Sequence, residues 1–561
     1  MAKKVLIGVL LTILAFSFTG TREIKGNPFY NVPFKQVVLE QPPLEAEGHI
    51  LVAAQEFFSL MGGSVDWYRN RGVLRGKKVA VVTVGSPTAE IDGTTRRLET
   101  APVLVDDRLY IPLTLALEVL DQPGRGDEDT YLPSLQGGKG LHFRYYPVYD
   151  LQASYDPNLG QLAGRLFLAY QNPNLLSLEK LYFNLPANAP YGKGSQITVS
   201  RVSVNNRPVT FNTKGSTLEV FLPAVLAPQE TIFVAISFTT KIQDGASGRL
   251  GRTGATLMAA GWYPILAPYV AGSWQGMASA YFGEPYFAGS AYYRVRLTVP
   301  TGYQVLASGR ETGKWEEKGQ VIWTFNSDQP IREFAFTAAA GWDFITRQAG
   351  LVQLVMAARD EPAMAALDAA ERALDFFQRV FGTYPYSYLH LAFVPLDDLA
   401  GMEYPGFIII SNRKGFNPAT VVHEVAHQWW YNLVGNDSVR SAWIDEGLAE
   451  YSTLMFYRNF NTALYQTKLD EIKRLGALTG QPVDLSLEEY GDEQAYRRAV
   501  YNRGALFWLE MEQAVGGEVL RQALSYIQRY YRYEILTQKA LLTILKYYGA
   551  TAFNFHSYLR N

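Results

Sequence analysis

The sequence contains no cysteine. That absence excludes a disulfide framework, a cysteine-ligated zinc finger and a lipoprotein anchor, each of which needs the thiol. Histidine is scarce as well: six in 561 residues, at positions 49, 142, 390, 423, 427 and 556. Charged residues make up only 19% of the chain and nearly cancel, leaving a formal charge of −2. With no basic run, nothing gives the long-range field that draws nucleic acid or an acidic membrane. Long apolar runs are missing too. The longest, Val5 to Phe18, falls short of the roughly 20 residues a membrane span needs. Preceded by Lys3 and Lys4 and followed by the small-residue cluster Ser17 to Thr21, it predicts a signal peptide or anchor over residues 1–25. The expected location is therefore exported, extracellular or at the cell surface.

What is present is a multidomain α+β chain. A hydrophobic content of 48% describes a globular protein, and the length exceeds what one core supports. Residues 35–121 form a first, small α/β repeat unit. His49 to Gly62 and Arg108 to Asp121 repeat one pattern, an extended start followed by a short amphipathic helix. Together with the segments Met61 to Trp67 and Leu109 to Leu113, this resembles the copper amine oxidase N-terminal repeat domain. The resemblance implies no copper site; it implies a spacer or surface module, and hence cell-envelope association through the N-terminal region. Residues 122–144, rich in Gly, Pro and charge, read as a linker. From 145 to 349 apolar and polar residues alternate at period two, as in Val295, Leu297 and Val299 before the turn at Pro300 to Gly302. Many short strands separated by turn signals predict a β-sandwich or saddle-shaped sheet. From 350 to 561 the period becomes helical, beginning with the stripe Leu367, Ala370, Leu374 and Phe377.

Two of the six histidines lie in His423-Glu424-Val425-Ala426-His427, followed nineteen residues later by Glu446. Residues four apart share a helix face, so His423 and His427 can point at one Zn²⁺ at about 2.0–2.1 Å. Glu446, from a second helical run beginning at Trp443, supplies a third ligand. Three ligands leave the fourth position open, as catalytic zinc sites do. Glu424 is rotated about 100° from His423 and reaches a zinc-polarised water rather than the metal, which suits a general base. Asn417 and Pro418 start the histidine helix. No breaker interrupts Ala419 to Leu433, and Gly435 is placed to end it. Glu450, one turn beyond Glu446, is a candidate to orient a ligand histidine.

These motifs, with Gly401-Met402-Glu403 upstream and Tyr501-Asn502-Arg503-Gly504-Ala505 downstream, resemble the gluzincin aminopeptidases related to aminopeptidase N and the leukotriene hydrolase. The resemblance covers about residues 145–561. It implies a β-rich domain on a thermolysin-like, mostly α catalytic domain, with one zinc per chain at their interface. By position, Glu403 resembles the carboxylate that grips a peptide's free α-amine, with Gly401 and Met402 presenting backbone to the substrate. Tyr501 resembles the phenol that stabilises the oxyanion, with Tyr496 its nearest competitor. The chain departs from the family at Tyr404, where an asparagine is usual. The family's β-domain contribution to the amine site has no counterpart identifiable in this sequence.

The reading is a zinc metallopeptidase acting on peptides and not on nucleic acid. Its leading form is an aminopeptidase that hydrolyses N-terminal residues of extracellular peptides. Two alternatives stay open: an endopeptidase or oligopeptidase on the same scaffold, should Tyr404 obstruct the amine site, and a non-catalytic surface protein that binds peptides.

Overall fold

The computed structural model describes residues 44–46 and 49–560, apart from short interruptions of which 121–130 and 134–140 are the longest. The signal or anchor expected over residues 1–25 lies outside the described residues. Among those described, no helix is long and apolar enough to cross a membrane.

Near the N-terminus the repeated pattern folds as a matched pair. Strand His49–Ala53 runs into helix Ala54–Met61, and strand Arg108–Pro112 into helix Leu113–Leu120. The two strands pair antiparallel, Val52 opposite Ile111. A five-stranded meander, Ser64–Tyr68 to Thr94–Arg97, lies between them in sequence. Its strands are four or five residues long, and the last, Thr94–Arg97, is exposed throughout. Phe57, Phe58, Leu74, Val82, Leu115 and Val119 close a small core. Within the expected linker, Tyr131–Pro133 and Leu141–Phe143 pair as a hairpin.

The period-two region folds into an eight-stranded sheet centred on Val148–Asp156, Gln161–Gln171 and Tyr292–Pro300, with two four-stranded sheets. Its pairings are antiparallel except between Val148–Asp156 and Tyr292–Pro300, which run parallel. The alternation seen at Val295, Leu297 and Val299 is the face turned inward.

A five-stranded sheet, in the order 343–349, 352–358, 388–394, 407–411, 401–402, opens the C-terminal, mostly helical part. Strand Tyr388–Val394 lies between parallel neighbours and is buried at every position, as strands covered on both faces are. Its histidine, His390, donates from Nδ1 to the Ala307 carbonyl at 2.7 Å. Burial pushes this histidine down to about 4, so the buried ring is neutral. Helix Ala363–Phe381 lays the predicted stripe of Leu367, Ala370, Leu374 and Phe377 into the core. Each of its large apolar side chains contributes about 1.5–3 kcal/mol by burial. Met258, Leu306 and Trp342 of the β-rich region pack with Val394, Met402 and Phe407. The β-rich and C-terminal parts therefore share a buried apolar cluster that includes Met402 of the edge strand.

Candidate metal centre

Asn417 caps the histidine helix by accepting from the Ala419 backbone at 3.0 Å, and Pro418 occupies its first position. The helix Pro418–Ala426 stops earlier than expected, with His427 as its C-cap. Residues 427–434 instead fold into tight turns, with Tyr431 at φ +130°. A non-glycine residue there costs on the order of 1–3 kcal/mol. The sequence from Ala419 to Leu433 holds no breaker; the break is imposed from outside. Arg332, brought in by the β-rich region, donates from Nε to the Tyr431 carbonyl and from Nη2 to that of Glu534 at 2.8 Å. Tertiary contacts outweigh local propensity here.

The second helix, Trp443–Phe460, is buried on nearly all sides. Gly447 faces Gly504, and a Cβ on Gly447 would lie 3.0 Å from the Gly504 backbone. That close crossing brings Glu446 against the π-helical turn Arg498–Arg503, which carries Tyr501. Single π-turns inside helices often mark functional sites.

Three donor atoms converge where these elements meet. His423 Nε2 and His427 Nε2 are 3.0 Å apart, and Glu446 Oε2 lies 3.3 and 3.2 Å from them. The far nitrogens are held as well. His427 Nδ1 meets the Trp430 carbonyl at 2.8 Å, and His423 Nδ1 faces Glu450 Oε1 at 3.2 Å. Lys468 in turn holds Glu450 Oε2 at 2.7 Å. Each imidazole thus presents Nε2 to the centre, the usual setting of a metal-ligating histidine. Burial alone would push both histidines down. Their contacts with Glu446, Glu450 and nearby acids outweigh it, raising His423 to about 9 and His427 well above its ordinary value. Burial likewise works to raise Glu446, but the two histidines hold it well below the usual carboxylate range. Two imidazole nitrogens and a carboxylate oxygen converging in a buried pocket form a donor set that fits one Zn²⁺.

The remaining predicted residues surround this trio. Glu424 is buried, its Oε2 has no hydrogen-bond partner, and burial raises it to about 7. Gly401 makes room for it: a Cβ there would sit 2.5 Å from Glu424 Oε1. The close approach anticipated for Gly401 therefore involves the carboxylate of Glu424. Glu403, at the end of the edge strand, is also buried and raised by burial to about 7. Donor atoms of Glu403, Glu424 and His427 lie within 4.8 Å of one another. Met402 lines the cleft next to it. Tyr501 donates its hydroxyl to Glu446 Oε1 and stacks near His423, with ring centroids 6.1 Å apart. Tyr496 also lines the cleft, packed against Tyr501 and Phe282. Tyr404 points elsewhere: it is buried against Phe407 in the apolar cluster under the edge strand. It is not among the residues lining the cleft.

Among the cleft residues that sequence reasoning missed is Arg249, which brings Glu284 with it. Arg249 bonds Glu284 Oε1 at 2.7 Å and the Gly283 carbonyl at 2.9 Å. Glu284 is buried, and desolvation together with Glu403 raises it to about 7. Both come from irregular stretches of the β-rich region and have no spacing to any motif. Only Gly283, at φ +64°, marks the turn, and it lines the cleft itself.

Comparisons with known proteins agree with this geometry. Residues 365–558 match the Peptidase family M1 domain, and residues 32–131 match the copper amine oxidase N-terminal domain. Aminopeptidase RNPEPL1 of Mus musculus is 26% identical over 283 residues, which cover 46% of this chain and 38% of the relative. Leukotriene A-4 hydrolase of Xenopus laevis is 23% identical over 377 residues, 61% of this chain and 60% of that protein. The chain thus spans about two fifths of the first of these relatives and three fifths of the second. Among solved structures, the M1 zinc metallopeptidase of Deinococcus radiodurans superposes with a TM-score of 0.58 at 20% identity, covering 73% of this chain and 92% of that one. Both resemblances read from the sequence are borne out, as is the succession of a small repeat domain, a β-rich domain and a mostly helical catalytic domain.

Proposed function

We propose that this chain, whose residues 365–558 match the Peptidase family M1 domain, is a zinc-dependent aminopeptidase that removes N-terminal residues from peptides. The observation that carries the reading is the pairing of two carboxylate sets in one cleft. Glu446, with the two histidines, forms one; Glu403 and Glu424, whose donor atoms lie within 4.8 Å of one another together with His427, form the other. Glu403, buried on the cleft wall, would hold a substrate's α-ammonium by a charge-assisted hydrogen bond. Anchoring the amine fixes the distance to the first peptide bond, and that makes an exopeptidase. His423, His427 and Glu446 would hold the zinc, which when bound supplies Lewis-acid polarisation of water and of the scissile carbonyl. Glu424 takes the proton of the attacking water and passes it to the departing amine. Tyr501 turns its hydroxyl from Glu446 to the developing oxyanion. The endopeptidase alternative rested on obstruction by Tyr404, and that side chain lies away from the cleft lining.

Aminoacyl-coumarins test this directly. Free-amine substrates should be hydrolysed in a chelator-sensitive manner, and N-acetylated ones should lose at least about a hundredfold in rate, the value of one buried charge-assisted contact or two. A long peptide should yield a ladder of single-residue losses. Equal cleavage of acetylated and free substrates, or internal fragments, rejects the exopeptidase.

We also place the enzyme outside the cytoplasm and at the cell envelope, supported by the basic-then-apolar segment from Lys3 to Phe18 and by the N-terminal repeat domain. Fractionation of producing cells decides: recovery of the protein with the cytoplasmic fraction alone refutes it.

A further inference from the structure

We propose that the buried contact between Glu333 and Tyr431 is a positioning device that sets the imidazole of His427, and so how tightly zinc is held. The inference rests on the zinc reading above and concerns residues outside the ligand set.

Glu333 belongs to the β-rich region, between strands Gln320–Asn326 and Phe336–Ala340. It is buried, and its two carboxyl oxygens accept from two phenols: Tyr431 at 2.7 Å and Tyr286 at 2.9 Å. Its neighbour Arg332 grips the backbone of the same turn, donating to the carbonyl of Tyr431 and, at 3.1 Å, to that of Ala288. The guanidinium lies so close to Gly435 that a Cβ there would be 2.1 Å from its Cζ. Side chain and carbonyl of Tyr431 are therefore both held from the β-rich side, while its N–H donates to Val434 at 2.9 Å.

This grip matters because Tyr431 stands at φ +130°, a conformation a side-chain-bearing residue keeps only when its surroundings impose it. Rotation about that φ turns the peptide unit joining Trp430 to Tyr431. The carbonyl on that unit is the acceptor for His427 Nδ1 at 2.8 Å. Releasing the Tyr431 ring lets φ relax, swings the Trp430 carbonyl, and frees the imidazole to rotate away from His423 and Glu446. Partners that hold a ligand's second nitrogen typically change metal affinity 10–100-fold. Here the partner is itself held across two domains.

The test is zinc release from the full-length holoprotein to a chromogenic chelator, with the visible spectrum of the Co²⁺-substituted protein as a second readout. Tyr431→Phe and Glu333→Leu should release zinc about tenfold faster than wild type and alter the cobalt spectrum. Glu333→Gln, which keeps an acceptor for the Tyr431 hydroxyl, should stay within about twofold of wild type, the same order as an intact neutral hydrogen bond allows. A purely structural role would lower the melting temperature without changing release from the folded protein. Wild-type release rates in folded Tyr431→Phe and Glu333→Leu overturn the inference. Should Glu333→Leu fail to fold, Tyr431→Phe, which loses a single oxygen, decides alone. Wild-type protein that binds no zinc overturns the metal reading and this inference with it.

Discussion

Glu424→Gln should retain its zinc and lose about 10²–10⁴-fold in kcat, the range for removing a positioned general base. The amide is nearly isosteric, so it fills the same buried space beside Gly401 without a proton-accepting oxygen of comparable basicity. Because Glu424 is not one of the three converging donors, metal content measured by atomic emission should match wild type. KM should change little, since the amine is held by Glu403 in the proposed complex. A variant with wild-type turnover would remove Glu424 from the chemistry, and one that purifies without zinc would place it in the ligand set instead.

Gly401→Ala should be the next most damaging change, and for a reason no motif states. The added Cβ would stand 2.5 Å from Glu424 Oε1 and 2.9 Å from both its Cδ and Cγ. Real contacts of that kind do not persist, so one partner must move. The backbone at 401 is fixed by pairing with Ile410, whereas the Glu424 carboxyl is the far end of a rotatable side chain. The carboxyl therefore shifts by about an ångström, and a misplacement of that size costs roughly 10²-fold in rate. Zinc content and melting temperature should stay near wild type, because neither the ligands nor the core is touched. Undiminished kcat in this variant would show that the general base tolerates displacement and that the glycine serves only the substrate.

Much of the site is legible without coordinates because its chemistry is local. His423, Glu424 and His427 sit within one turn of a helix whose start is announced by Asn417 and Pro418. Periodicity of 3.6 then orients the two imidazoles whatever the rest of the chain does. Glu446 lies in a run with an equally clear helical pattern. The inward face of Tyr292–Pro300 and the stripe on Ala363–Phe381 are likewise written as period two and period 3.6.

Other features have no local signature. Arg249 enters the cleft from an irregular segment of the β-rich region, so no spacing relates it to the histidines. Tyr404 looks obstructive in sequence, next to Glu403, yet its ring is packed against Phe407 in a buried apolar cluster. The early end of the histidine helix is the clearest case. Nothing between Ala419 and Leu433 disfavours helix, and Tyr431 is a poor candidate for φ +130°. Local sequence thus determined which residues could ligate a metal and on which faces they stand, since helix geometry is fixed by near neighbours. Tertiary structure alone decided where the helix stops, which carboxylates share the cleft and what steadies His427. Those outcomes depend on contacts such as Arg332 to Tyr431, made between residues a hundred positions apart, whose combined energy exceeds any local preference.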